Sequence, residues 1–268
     1  PLFGGVIKDL SFAVDGASLL AVASVPDPVA TRSVRIDDLA VSDGRITSGL
    51  RRAALLADGS LVAANWGIDG PAWAPDLGSP DGRLDWSASP LWDLAVDADG
   101  LRVVVVGEEQ VVRFGELVDG HLVQRWSAPA VGGLGVAVHR SGRVAVSQSG
   151  GVQLFAPGGA PGAVLAAPAL QLTALAFSPS GALLAAGDLS GAIWVWDAVG
   201  GDLLAELRGH SSRVSGLGFR GEAGLASGSW DGTLRRWDLS PLHTSPEALR
   251  AESAGWKLSL QDVLAAPQ

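Results

Sequence analysis

The sequence predicts an all-β protein with the β-propeller fold, built from four-stranded antiparallel blades. Three observations indicate this fold: an even spacing of similar segments, short apolar stretches bounded by turn residues, and 36 glycines among 268 residues. Glycine supplies the positive φ angles that tight hairpin turns need. The pattern occurs six times, which favours six blades and leaves seven as the alternative if further sequence precedes this chain.

The repeat consists of an apolar anchor residue, three turn-like residues, a glycine and then a β-rich stretch. Successive anchors are 43, 41, 42, 39 and 42 residues apart, and a period of this length indicates a repeat architecture. The anchors are Phe12, Leu55, Val96, Val138, Phe177 and Phe219.

The fifth repeat shows the expected course of one blade. Its first strand is the mostly apolar stretch 172–177, and its second is 182–187, whose small apolar residues predict burial on both faces. The third strand is 192–197, and the more alternating stretch 201–208 is expected at the outer edge. Four short strands per repeat are typical of a propeller blade. In five repeats a large aromatic residue closes the third strand: Trp73, Phe114, Phe155, Trp196 and Trp237.

The fifth and sixth repeats resemble WD repeats. The likeness is carried by "FSPSG…AIWVWD" in the fifth and by "GH…LASGSWDGTLRRWD" in the sixth, which show the Gly-His and Trp-Asp signature of this propeller class. It extends over residues 12–239 by spacing, but clear motifs begin only at residue 172. The resemblance implies rigid blades that present loops to a protein or peptide.

The same resemblance implies a bracing tetrad in the sixth repeat, formed by His210, Ser227, Asp231 and Trp237. A buried indole N–H needs an acceptor, and a serine hydroxyl can accept that bond while donating to histidine. Asp231 would then hold the other imidazole nitrogen. The rival interpretation is a Ser–His–Asp hydrolase triad, but Ser227 lies in an apolar strand and no G-x-S-x-G motif is present.

The other five repeats lack this tetrad. We therefore expect them to rely on apolar packing and backbone ladders. The residues at the Asp231 position are Gly67, Glu108, Ser149 and Ser190, and Pro168 takes the histidine position in the fifth repeat.

A candidate partner-binding rim comprises Trp66, Trp230, Arg213 and Gln171. The two tryptophans come one place before the Asp231 position, in turns expected on the same edge as the loops that enter each blade. Exposed tryptophan near arginine is typical of a protein-binding hot spot. The alternative is that these aromatic side chains fold onto neighbouring blades.

Asp9 and Asp93 are the weak candidates for a metal site, each three residues before its anchor and facing the predicted channel. Two carboxylates could hold a cation, but Arg52 occupies the same position in the repeat between them and would repel it. Cysteine is absent, which excludes thiolate ligands. The sequence therefore predicts no metal site, no cofactor and no catalytic residue.

Charge and hydropathy narrow the range of partners. A net charge of −9 weighs against nucleic acid, and no apolar stretch is long enough to predict a membrane span. The absence of cysteine agrees with a reducing compartment, so a cytoplasmic location is expected.

Residues 1–242 are predicted to form one propeller, and 243–268 a C-terminal tail. "TSPEALRAESAG" in the tail predicts a short helix from Ser245 to Gly255. Closing the ring requires an outer strand for the last blade. The tail segment 256–260, the N-terminal residues 1–5, or residues outside this chain could supply it.

These observations together predict a non-catalytic interaction scaffold or sensor module, acting alone or within a larger polypeptide or complex. Two alternatives remain. One is a propeller enzyme that resembles a metal-dependent hydrolase or lactonase and uses the channel. The other is a structural domain excised from a larger effector-fused protein.

Overall fold

A computed structural model describes residues 90–167 and 171–243 throughout, and before them the strands between residues 6 and 83 together with residues 56–58. The described residues form six antiparallel sheets, five with four strands and one with three. In every sheet the strands lie side by side in chain order, so each sheet is a simple meander. The prediction of an all-β fold with four-stranded repeats is confirmed.

The first three sheets lie between residues 6 and 129. Sheet one consists of β1 (Val6–Phe12), β2 (Ser18–Ser24), β3 (Ala30–Arg35) and β4 (Val41–Arg45). Sheet two consists of β5 (Leu50–Leu55), β6 (Leu61–Asn65), β7 (Ala72–Ala74) and β8 (Gly82–Arg83). Sheet three consists of β9 (Leu91–Val96), β10 (Arg102–Gly107), β11 (Val111–Val118) and β12 (His121–Pro129).

The last three sheets lie between residues 136 and 238, and the last two of them correspond to the repeats with clear motifs. Sheet four consists of β13 (Val136–Val138), β14 (Val144–Gln148), β15 (Gly151–Phe155) and β16 (Pro161–Ala166). Sheet five consists of β17 (Leu172–Phe177), β18 (Leu183–Asp188), β19 (Ile193–Asp197) and β20 (Leu203–Leu207). Sheet six consists of β21 (Val214–Arg220), β22 (Gly224–Ser229) and β23 (Leu234–Asp238), followed by a short 3-10 helix, Ser240–His243.

A β-bulge recurs where the first strand of a sheet begins to pair with the second. One extra residue interrupts the register there in five sheets, between Ile7 and Asp9 in the first and between Val214 and Gly216 in the sixth. The same interruption occurs in sheets two, three and five. A bulge bends and twists its strand, so its repetition gives successive sheets the same local shape.

Neighbouring sheets are joined by apolar side chains packed between their faces. The first strands contact one another in order, from β1 to β5, β9, β13, β17 and β21. Between sheets four and five, Ala145 and Leu154 pack with Leu184 and Trp196. The second strand β18 is buried over its whole length, because its two faces meet different neighbours. This agrees with the burial on both faces that the sequence predicts for the second strand of the fifth repeat.

Polar contacts also join successive sheets at the edge where the first and second strands are connected. Arg143 of sheet four donates to the carbonyl oxygens of Gly181 and Ala198 in sheet five, at 2.9 and 2.6 Å. Glu222 of sheet six accepts bonds from the amide and the hydroxyl of Ser180 in sheet five, at 2.7 and 2.8 Å. These contacts hold the sheets in a fixed mutual orientation.

Judged from the described residues, the sixth sheet has one face covered by sheet five and one exposed face. Leu225 and Trp237 point toward sheet five and belong to the apolar layer there. On the opposite face, Gly218 and Ala226 are exposed and Leu234 retains 88% of its accessible surface. Among the described strands, none of sheet six makes extended contact with sheet one. The number of blades and the closure of the ring stay predictions.

The predicted division into residues 1–242 and a tail from 243 also stays a prediction. The last described element ends at His243, and the predicted helix and strand of the tail lie outside the described residues. In the described part of the chain, no helix has the length and apolar character needed to cross a membrane.

Two glycines provide a test of sheet packing. A Cβ added at Gly187 would lie 2.4 Å from Val214 Cγ1 in the neighbouring sheet, whereas a Cβ added at Gly218 would meet no atom within 4 Å. We expect Gly187→Ala to lower the free energy of unfolding by about 1–3 kcal/mol through overpacking. Gly218→Ala should leave it unchanged or raise it slightly, because alanine restricts the unfolded chain. Urea denaturation measures both, and equal destabilisation would show that the far face of sheet six is covered.

Candidate functional site

The sixth sheet contains a hydrogen-bonded chain of four side chains. Trp237 Nε1 donates to Ser227 Oγ at 2.8 Å, and Ser227 Oγ lies 2.7 Å from His210 Nε2. His210 Nδ1 lies 2.9 Å from Asp231 Oδ2. Because the ionised Asp231 carboxylate can only accept, the proton of a neutral imidazole resides on Nδ1 and points to it. The Ser227 hydroxyl, which accepts the indole N–H, then donates to Nε2. The structure thus brings together all four residues of the predicted tetrad.

This chain of bonds lies at the boundary between sheet six and the loop that enters it. Ser227 is 2% exposed and His210 7% exposed. The imidazole meets the Trp237 ring edge-on, with ring centroids 6.2 Å apart. Gly209 lets the loop lie close to strand β23, because a Cβ at this position would be 3.0 Å from side-chain atoms of Trp237 and Arg235. A larger residue here would require the Trp237 ring and the Arg235 guanidinium to shift.

Asp231 is the most heavily bonded member of the tetrad. Its carboxylate accepts the Thr233 hydroxyl at 2.6 Å, the Thr233 amide at 2.9 Å and the Ser211 amide at 3.1 Å, besides the imidazole. The Thr233 hydroxyl, followed by His210 and the two backbone amides, holds the pKa of Asp231 well below its ordinary value of 3.8. The carboxylate therefore fixes both the turn before β23 and the loop before β21.

The geometry of the tetrad is that of a brace rather than a catalytic triad. A nucleophilic serine must reach a substrate carbonyl, yet the Ser227 hydroxyl is buried and already bonded to both Trp237 and His210. The hydroxyl is therefore in no position to attack a substrate.

The expectation that the other repeats rely only on apolar packing and ladders is wrong for the fifth. Asp188, at the end of β18, accepts the Ser190 amide at 2.8 Å, the Ser190 hydroxyl at 2.7 Å and the Ala192 amide at 3.0 Å. Its second oxygen accepts Trp194 Nε1 at 3.2 Å. A different acidic residue thus braces the corresponding turn. Sequence comparison between repeats missed it because Asp188 precedes the turn position that Asp231 occupies.

Two residues of the predicted rim meet directly. Trp230 is 70% exposed, and its amide donates to the Arg213 carbonyl oxygen at 2.9 Å. The Arg213 guanidinium lies 5.0 Å from the centre of the Trp230 ring, within cation–π distance. Gln171 is exposed on the same edge of sheet five, where its carbonyl oxygen accepts the Leu189 amide at 3.3 Å. Trp66 lies outside the described residues.

The same edge exposes two apolar residues that the sequence analysis missed. Leu189 is 45% exposed in the turn of sheet five that corresponds to the Trp230 turn, and Val131 is 66% exposed in the loop that enters sheet four. The exposure of Leu189 could have been predicted from the sequence, because it is an apolar residue within the polar turn "DLSG". We call this surface the turn face, and its members are Val131, Gln171, Leu189, Arg213 and Trp230.

Asp93 links two sheets through backbone amides. Its side chain is buried, with Oδ1 accepting the Leu94 amide and Oδ2 accepting the Val136 amide of sheet four, both at 2.9 Å. The Asp93 carboxylate therefore has a structural role that is an alternative to metal binding. It links β9 to β13, the first strands of sheets three and four. Asp9 lies in β1, and the position of its side chain is not described. Within the described ranges, no three His, Asp or Glu side chains are grouped as metal ligands would be.

A comparison with known protein families finds matches in the region of the last two repeats. The family described as "WD domain, G-beta repeat" matches residues 160–197 and 201–238. The Periodic tryptophan protein 2 homolog of Schizosaccharomyces pombe is 43% identical over 72 residues, which are 26% of this chain and 8% of that protein. Periodic tryptophan protein 2 of Saccharomyces cerevisiae is 38% identical over 94 residues, 34% of this chain and 10% of that protein.

A plant protein shows a likeness of similar extent. Protein ROOT INITIATION DEFECTIVE 3 of Arabidopsis thaliana is 40% identical over 73 residues, 27% of this chain and 17% of that protein. The chain thus matches only between 8% and 17% of the length of these three relatives.

The first prediction for the site concerns Ser227. In Ser227→Ala, the Trp237 indole and the His210 imidazole each lose a buried partner. We expect the free energy of unfolding to fall by about 2–4 kcal/mol, since each unsatisfied buried group costs about 1–3 kcal/mol. Ser211→Ala, in the same loop, is the control, because Ser211 contributes only its backbone amide to the site. Similar unfolding midpoints for the two variants in urea would argue against the brace.

The second prediction concerns pH. Because the pKa of Asp231 is lowered in the folded protein, its stabilising effect is fully present above about pH 4 and declines as the pH falls toward the lower folded value. Asp231→Asn should therefore be less stable at neutral pH and lose less stability on acidification than the parent. Melting curves between pH 7 and pH 3 measure this, with Asp119→Asn in an exposed turn as control. A parallel acid dependence in parent and Asp231→Asn would contradict it.

Proposed function

We propose, from the two WD40 repeats that occupy residues 160–238, that this chain is a non-catalytic interaction module which binds a protein or an extended peptide through its turn face. Proteins with this repeat are typically interaction scaffolds, and a rigid sheet framework suits that role by holding loops in place for recognition. The fold alone does not give the function, so the proposal depends on the surface.

The observation that carries the proposal is the alignment of exposed apolar side chains on one edge of three consecutive sheets. Val131, Leu189 and Trp230 project from this edge and keep 66%, 45% and 70% of their accessible surface. Single exposed apolar residues are common, but several on one face are a feature of interaction sites. Tryptophan and arginine are also among the residue types enriched at the positions that dominate binding energy.

The turns below these side chains are held in place before any partner binds. Asp188 bonds three groups in the Leu189 turn. In the Trp230 turn, the Asp231 amide donates to Ser229 Oγ at 3.1 Å, and Ser229 Oγ donates to the Ser212 carbonyl oxygen at 2.9 Å. Rigid presentation lowers the entropy lost on association. The tetrad thus supports binding indirectly, by fixing the loop and turn that carry Arg213 and Trp230.

The chemistry of the turn face suits a partner that inserts an apolar side chain beside the exposed Trp230 ring, which the Arg213 guanidinium contacts on the chain's own side. The net charge of −9 favours a protein partner over nucleic acid. The cysteine-free composition is compatible with a reducing compartment, and on that basis we propose a cytoplasmic location. The hydrolase alternative has less support, because Ser227 is buried and Asp93 already accepts two backbone amides.

The proposal predicts that Trp230→Ala and Leu189→Ser each weaken partner binding, by about thirtyfold for the tryptophan if it contributes roughly 2 kcal/mol as a hot spot. Val199→Ser is the matched control, since Val199 is 77% exposed on the opposite edge. Proteins captured from the source extract by the intact chain are quantified for each variant, and the affinity of the main partner is then measured by titration. Undiminished binding by the two turn-face variants would refute the proposed site.

A further inference from the structure

Turns and entering loops of neighbouring sheets contact one another along the edge that carries the turn face. A Cβ added at Gly191, in the turn of sheet five, would lie 2.5 Å from the carbonyl oxygen of His210, in the loop that enters sheet six. A Cβ added at Gly133, in the loop that enters sheet four, would lie 3.1 Å from Val106 Cγ2 of sheet three. The exposed side chains of these segments therefore belong to one surface, on which a single partner can contact several sheets.

The end of this surface on sheet six carries three arginines. Arg208 and Arg213 lie at the two ends of the loop 208–213, which enters the sheet. Arg235 of β23 is exposed, and its Nη1 lies 3.0 Å from the position that a Cβ at Gly209 would take. The guanidinium group of Arg235 is therefore close to the stretch of the loop that Arg208 begins.

The carboxylates beside these arginines do not cancel their charge. Glu206 pairs with Arg208 at 2.5 Å, but the Arg208 side chain is still 76% exposed. Asp231 already accepts four hydrogen bonds within the sixth repeat, and its side chain is only 8% exposed. Positive charge therefore exceeds accessible negative charge at this end, although the chain as a whole has a net charge of −9.

The middle of the surface, on sheets four and five, has no exposed charged side chain among the described residues. Val131 and Leu189 project from it, and Asp188, the acidic residue of the sheet-five turn, is buried. An extended segment has peptide N–H and C=O groups that need partners, whereas a helix bonds its own. Hydroxyl and amide side chains beside the two apolar residues can bond such groups. They belong to Gln148, Ser149, Gln171 and Ser190.

The end of the surface on sheet three is acidic. The turn between β10 and β11 contains Glu108 and Glu109, which are both exposed. Glu109 pairs with Arg113, so Glu108 is the carboxylate that adds net charge. The Glu108 amide donates to the Pro90 carbonyl oxygen at 3.0 Å, which holds this residue in place. The surface thus changes from acidic on sheet three, through uncharged on sheets four and five, to basic on sheet six.

We propose that the turn face binds an extended protein segment with an apolar middle, acidic residues over sheet six and a basic residue over Glu108 of sheet three. This inference rests on the proposed function, because it names the kind of segment that the same face binds. Facing sheets lie about 10 Å apart, so the three steps from sheet three to sheet six cover about 30 Å, which roughly nine extended residues span. The charges at the two ends fix the orientation of the segment, because the reverse orientation places like charges together.

Selection from a displayed library of random segments of about twelve residues, slightly longer than this span, tests the inference. The intact chain is the bait, and segments that also bind Trp230→Ala are removed. We expect the selected segments to have apolar residues in the middle, Asp or Glu at one end and Lys or Arg at the other. A selected pool without this charge pattern would overturn the inference and leave the proposed function standing. A pool that binds Trp230→Ala equally well, or no pool at all, would contradict both.

Charge reversal then tests the placement of the two ends. Arg208→Glu/Arg235→Glu should weaken binding of the best selected segment about tenfold or more, because two attractive contacts become repulsive. Glu108→Arg should weaken it about threefold, since one contact is reversed. Raising the salt concentration to about 0.5 M should weaken binding to the parent in the same direction, because exposed charges are screened, and this measurement needs no variant.

The matched control is Arg220→Glu/Arg236→Glu, which changes the net charge equally. Arg220 ends β21 at the opposite edge, and Arg236 pairs with Ala226 on the exposed face of sheet six. Binding by this control should stay within about twofold of the parent, because its charges lie away from the segment. Equal weakening by the two double variants would show an effect of net charge alone and overturn the inference. Unchanged binding by Arg208→Glu/Arg235→Glu, or by the parent in high salt, would overturn it as well.

Discussion

Face-to-face packing between neighbouring sheets is the interaction on which the rest of this structure depends. A four-stranded sheet of such short strands has two faces to bury and no interior of its own, so it is stable only between neighbours. The second strand β18 illustrates this, since all six of its residues are buried between the layers on either side. Burial of each large apolar side chain contributes about 1.5–3 kcal/mol, so these layers outweigh any single polar contact.

The turn face follows from that packing. Once the sheets are fixed, their turns lie side by side along one edge, and short polar networks determine how each turn is held. The sixth sheet uses the imidazole and carboxylate of His210 and Asp231, whereas the fifth uses Asp188 and the indole of Trp194. Two different side-chain sets thus hold neighbouring turns, and each turn carries an exposed apolar residue, Trp230 in one and Leu189 in the other.

The sequence was most informative about local features. Turn glycines and apolar stretches lie within a few residues of each other, so the strand order of the repeats could be predicted from them, and Gly-His and Trp-Asp led to the tetrad. Contacts between repeats could not be predicted from such local patterns. Asp93 meets Val136 across 43 residues, and no local pattern marks that pair. The recurring bulge and the open far face of sheet six also depend on how whole sheets meet, which no single repeat encodes.

Site-directed photo-crosslinking tests the central claim, that the turn face binds a protein, most directly. A photoreactive amino acid is placed at Leu189 or, in a second variant, at Val199 on the opposite edge, and adducts formed in the source cells are identified by mass spectrometry. Both positions are exposed, so the chance of random adducts is similar. We expect one recurrent protein adduct from Leu189 that is missing from Val199. The same adducts from both positions, or a recurrent one from Val199 alone, would contradict the account.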